Sequence, residues 1–66
     1  MKLNLPLIYA AIAEKKLTLK GLSTASGVSV ATISKLRSGS GEFSLVTIGR
    51  IAEALDLQTA DIVNEW

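Results

Sequence analysis

Apolar residues recur three and four positions apart along most of the chain, and no stretch alternates apolar with polar at a period of two. The pattern predicts helices and no strands. Leu5, Ile8, Ala11 and Ile12 form one stripe, and Pro6 suits a helix start because its missing N–H would have no intrahelical partner there, so a first helix is expected over 6–15. Leu17-Thr18 breaks the pattern, and Thr18 is placed to cap a second helix over 19–26 with Leu19, Leu22 and Ala25 inward. Gly27 ends that helix, since the residue past a helix end commonly takes a positive φ that glycine adopts without steric cost. Ser29 caps a third helix over 30–38, and Gly39-Ser40-Gly41 reads as a loop. Ser44 caps a fourth helix running through Leu55, with Leu45, Ile48, Ile51, Ala52 and Leu55 inward, and Thr59 caps a short fifth over 60–64. The expected fold is all-α, a compact bundle of four to five short helices making one domain over 1–66.

Composition narrows the chemistry. With 66 residues the chain has little core to bury, and 48% hydrophobic content with three aromatics (Tyr9, Phe43, Trp66) suits an aliphatic core packed between helices. Cysteine and histidine are both absent, which excludes disulfides, thiolate metal sites, Cys or His nucleophiles and the usual zinc ligand sets. Ser34-Lys35 is no catalytic dyad, because adjacent helical residues point apart, and the Gly39 to Gly41 loop lacks a following Gly-Lys-Ser/Thr. No enzyme, metal or cofactor is expected. The apolar run from Leu3 to Ala13 ends in Ala11-Ile12-Ala13, a small-x-small pattern like a leader cleavage site. Asn4 and Pro6 interrupt it, its basic region is Lys2 alone, and it is too short to span a bilayer, so it reads as a first helix of a cytoplasmic protein.

The net charge of +1 conceals an asymmetry: all seven Lys and Arg lie at or before Arg50, with Glu14 and Glu42 the acids among them, while Glu53, Asp56, Asp61 and Glu65 follow. A polyanion would meet the front of the chain, through only a few phosphate contacts per copy. On a helical wheel Leu36 and Val30 fall to either side of Ile33, each within about a sixth of a turn, whereas Ala31, Lys35 and Ser38 lie on the opposite side. The third helix thus has an aliphatic inner face and a small, polar, cationic outer one. Following another helix after the short turn Gly27-Val28-Ser29, it suits insertion into a groove about 12 Å wide, where bulky or acidic residues would clash or repel.

Leu17-Thr18-Leu19-Lys20-Gly21-Leu22-Ser23-Thr24-Ala25-Ser26-Gly27-Val28-Ser29-Val30-Ala31-Thr32-Ile33-Ser34-Lys35-Leu36 resembles the helix-turn-helix of the phage-repressor, Cro and Xre family, and Ile48-Gly49-Arg50-Ile51-Ala52-Glu53-Ala54-Leu55-Asp56-Leu57 resembles that family's next helix. The likeness covers residues 6–64 and implies a lambda-repressor-like DNA-binding fold. It implies Gly27 as the turn glycine, Leu22, Val28, Ile33 and Leu36 as the residues locking the two helices, and Ser29, Val30, Ala31 and Lys35 facing DNA. Three positions depart from the family's habit: Ser23 stands where alanine is usual, Leu19 where many members carry a phosphate-contacting glutamine, and Arg37 where an acid is frequent. Thr18 and Lys20 are the expected substitutes for the contact Leu19 cannot make.

Base reading is accordingly expected from Val30, Ala31, Thr32, Ser34 and Lys35, and phosphate binding from Thr18, Lys20, Ser29, Arg37, Ser38 and Ser40. The expected function is that of a bacterial or phage transcriptional regulator, a repressor, which binds operator DNA as a homodimer with its heads about 34 Å apart. Trp66 either covers an apolar patch or serves the two-fold interface. The alternative is a protein-binding regulator or antitoxin of the same fold, to which the low charge and small-residue face would also be suited.

Overall fold

The computed structural model describes residues 2–38 and 43–65, and for Arg37 and Ser38 the backbone alone. Five short helices follow one another, α1 Leu5–Glu14, α2 Leu19–Ser26, α3 Val30–Ser38, α4 Leu45–Ala54 and α5 Thr59–Ile62. A two-stranded antiparallel ribbon of β1 Lys2–Leu3 and β2 Val63–Glu65 ties the ends of the described chain to one another, with Leu3 opposite Val63 and a shift in register after Lys2.

One local device is used five times. An apolar residue precedes a polar residue at the helix boundary, and a second apolar residue follows four positions later: Leu3-Asn4 with Ile8, Leu17-Thr18 with Leu22, Val28-Ser29 with Ile33, Phe43-Ser44 with Ile48, and Leu57-Gln58 with Ile62. These are the flanking positions of a hydrophobic staple, which fixes the angle at which the chain enters a helix. The later residue of every pair, Ile8, Leu22, Ile33, Ile48 and Ile62, is 0% exposed. In the first four helices the boundary side chain also accepts a backbone N–H, Asn4 from Leu7, Thr18 from Gly21, Ser29 from Thr32 and Ser44 from Thr47. Each of these four starts therefore satisfies an orphan donor and delivers a core residue at once, which suits a chain too short for a deeper core. Val28, Leu36, Ile51, Ala52, Leu55 and Val63 complete the buried cluster.

Helices α1 and α4 share an ending. Lys16 and Asp56 take the left-handed conformation at φ 55° and 57°. The N–H groups of Lys16 and Leu17 bond to the carbonyls of Ala13 and Ile12, and those of Asp56 and Leu57 to the carbonyls of Glu53 and Ala52. This is the paired bonding of a Schellman motif, made here without glycine.

Several expectations need correction. The first helix spans Leu5–Glu14 rather than 6–15, because Asn4, which looked like an interruption, is its cap. Ala25 is exposed, and Ser26 takes the buried place one turn beyond Leu22. Leu45 is 65% exposed, not inward, because Phe43, just before the cap, is the residue that packs onto the core there. Helix α4 closes at Ala54, with Leu55 as its capping residue. Thr59 lies inside α5 and Gln58 precedes it without a side-chain cap bond, and the helix ends at Ile62 instead of running to 64. Val63 leaves it in an extended conformation to pair with β1, and the Asn4 N–H donates to the Ile62 carbonyl at 2.8 Å. Such pairing joins opposite ends of the described chain and has no local sequence signature.

Candidate nucleic-acid interface

Helices α2 and α3 are joined by Gly27-Val28-Ser29, with Gly27 at φ 75°. Leu22, Val28, Ile33 and Leu36 lie between the helices and the rest of the bundle at 7% exposure or less, as the locking role implied by resemblance requires. Two serines of α2 hold the turn. Ser26, buried, donates its hydroxyl to the Leu22 carbonyl at 2.7 Å and accepts the Val28 N–H at 3.2 Å. Ser23 donates to the Val28 carbonyl. Sequence reasoning missed both roles, although two serines three apart just before a turn glycine, neither at a cap, were a visible signal.

The outer surface of this pair carries most of the residues singled out from the sequence. Val30, Ala31, Ser34 and Lys35 are exposed on α3, and Val30, at 44%, turns outward although its place on the wheel lies near the inner face. Thr32 is half-buried. Thr18 and Lys20 are exposed where α2 begins. The backbone of Arg37 and Ser38 continues α3 into its last turn, while their side chains, together with Ser40 and Trp66, lie outside the described residues.

The hydroxyls on this surface are partly committed. Thr18 Oγ1 accepts the Gly21 N–H at 2.9 Å and keeps its own proton to donate outward. A Cβ at position 21 would stand 3.3 Å from that oxygen, so glycine leaves the cap room. Ser29 Oγ accepts the Thr32 N–H and donates to Thr32 Oγ1 at 2.9 Å, which leaves the proton of Thr32 as the donor this pair can offer.

The sequence model of the Cro/C1-type HTH DNA-binding domain family matches residues 9–64. The chain belongs to that family. Neither a curated protein nor a solved structure matches it. As a Cro/C1-type domain it is a DNA-binding regulatory module and not a catalytic one.

The electrostatics of this Cro/C1-type domain follow from its ion pairs. Among the described residues, Lys15 pairs with Asp56, and Lys2 with Glu65 at 3.9 Å, both acids of the C-terminal quarter. Lys20 and Lys35 are the lysines on α2 and α3, and Lys20 stands in the first turn of α2, where the helix dipole adds to its positive field. Among the described residues no three His, Cys, Asp or Glu side chains group as a metal site, and no helix is long and apolar enough to cross a membrane.

Proposed function

We propose that this Cro/C1-type domain is a cytoplasmic transcriptional repressor that binds operator DNA as a homodimer, with α3 in the major groove of each half-site. The observation that carries the reading is the division of α3 into a face closed by Ile33 and Leu36, at 0% and 2% exposure, and an exposed face of Ala31, Ser34 and Lys35 flanked by Val30 and Thr32. Small side chains allow the helix axis to approach the base pairs, and Lys35 supplies a long donor for a guanine edge. Thr18 and Lys20 would take phosphates beside it, Ser29 would do so through its backbone N–H, and Arg37, Ser38 and Ser40 are further proposed phosphate contacts. A copy with so few cations binds weakly alone, which favours two heads on half-sites roughly 34 Å apart. Trp66 remains a candidate for the two-fold contact.

Selection of preferred duplexes from a random pool, followed by anisotropy titrations across salt, tests the reading. Ala31→Glu should abolish binding while circular dichroism stays unchanged, because a carboxylate would face the phosphate field and glutamate is a good helix former. Lys20→Ala should weaken all duplexes alike and lower the salt slope by roughly 1, as a phosphate contact requires. Normal operator binding by a helical Ala31→Glu protein would remove α3 from the reading role and favour a protein partner instead.

A further inference from the structure

The two peptide groups flanking the Val28 Cα are both held by side chains of α2. The N–H on one side goes to Ser26 Oγ at 3.2 Å, and the carbonyl on the other accepts the Ser23 hydroxyl. Ser26 is itself anchored through its proton to the Leu22 carbonyl one turn back, and the Gly27 N–H returns to the Ser23 carbonyl at 2.9 Å. The next residue, Ser29, is the cap from which α3 starts. Rotation about Val28 is one of the freedoms by which α3 would swing relative to α2, and the two serines restrain it from both sides.

We propose that Ser23 is a positioning residue for DNA recognition, setting the angle between α2 and α3 so that phosphate contacts from Thr18 and Lys20 and base contacts from α3 are made at the same time. Ser23 touches no DNA in this role. It acts through the Val28 carbonyl, which accepts its hydroxyl proton. The inference rests on α3 being the reading helix. Its physical basis is that a recognition element gains from having its supporting groups locked before the ligand arrives. A swing of α3 spares the phosphate contacts of Thr18 and Lys20, which serve any duplex, and misplaces above all the base contacts of α3, which serve only the correct one. Phosphate contacts at its ends tolerate a displacement that base edges do not.

The test compares the parent, Ser23→Ala, Ser23→Cys and Ala31→Glu on a selected operator and on random duplex. Ser23→Ala should keep the parent's circular dichroism, random-duplex affinity and salt slope, and lose roughly tenfold in operator affinity, less than the deletion of a strong base contact. Its Val28 carbonyl ¹³C resonance should move, reporting the lost hydrogen bond. Ser23→Cys, with a weaker donor, should fall between, and it carries the test if the alanine protein is poorly folded. An unchanged ratio of operator to random affinity in Ser23→Ala, with Ala31→Glu abolishing binding, overturns the role of Ser23 and leaves the reading helix standing. A parent that selects no sequence, or an Ala31→Glu protein that selects as the parent does, overturns both. Equal loss on operator and random duplex also overturns it, since that pattern belongs to damaged structure.

Discussion

At Gly27 the φ of 75° is met by open space, with nothing within 4 Å of where a Cβ would stand. Any penalty for a side chain there comes from the backbone and not from a clash. Gly27→Ala is expected to cost about 1 kcal/mol, and Gly27→Val more because a β-branched residue tolerates this conformation least, so their melting temperatures should fall in that order. Equal melting temperatures for the three proteins would contradict the turn. Ser26 is the opposite case, a polar side chain whose hydroxyl has a donor and an acceptor waiting for it inside the core. Ser26→Ala should cost about 1 to 3 kcal/mol in urea denaturation, as the Val28 N–H is left without its acceptor. Thr24, exposed and bonded only to the Lys20 carbonyl of its own helix, should change stability by less than about 0.5 kcal/mol when replaced by alanine.

The helices test how faces are assigned. Within α4, Leu45 at 65% exposed and Ile48 at 0% are both aliphatic and three residues apart, yet only Ile48 enters the core. Leu45→Gln should therefore shift the unfolding free energy by no more than about 0.5 kcal/mol, and Ile48→Ala by about 2 to 5 kcal/mol. A large loss for Leu45→Gln would restore the inward placement that spacing alone suggests. The same logic separates Ile33 from Ser34 on α3: truncating the first should unfold the domain, while changing the second should be felt on DNA and hardly in the melting curve.

For the molecule as a whole, the contacts between distant parts of the chain differ greatly in weight. Lys15 and Asp56 join the ends of α1 and α4, but the Asp56 side chain is 78% exposed, and a pair so open to solvent contributes little. Asp56 also occupies a left-handed position, at φ 57°. Asp56→Asn, which breaks the pair and keeps a residue tolerant of that conformation, should cost at most about 0.5 kcal/mol, an effect that high salt erases. Asp56→Val should cost distinctly more, and salt should not change the difference between the two variants. Ile62 is the contrasting long-range contact, fully buried at the end of a four-residue helix that packs on both α1 and α4. Ile62→Ala should lower stability by about 2 to 5 kcal/mol in chemical denaturation.

Local chemistry made most of the helices legible. Thr18, Ser29 and Ser44 cap where a hydroxyl before an apolar period should, and Gly27 takes the conformation that glycine alone adopts freely. The outward places of Ala31 and Lys35 were readable for the same reason, since helical periodicity separates them from Ile33 and Leu36 before any packing is known. What depended on distant partners was not readable. Periodicity names a stripe without its edges, so Ala25 and Ser26 exchanged places, as did Leu45 and Phe43, according to which neighbour the bundle presented. Val63 left its helix because Leu3, at the far end of the described chain, offered a strand to pair with. The charge asymmetry of the chain was plain from composition, but the pairing of Lys2 and Lys15 with acids of the other half arose only when folding brought the halves together. The sequence by itself determined the helices, their caps and the chemistry of the exposed face, because those depend on residues within a turn of each other. The tertiary structure alone decided the terminal ribbon and the last places in the core, because each requires groups that the chain must first bring together.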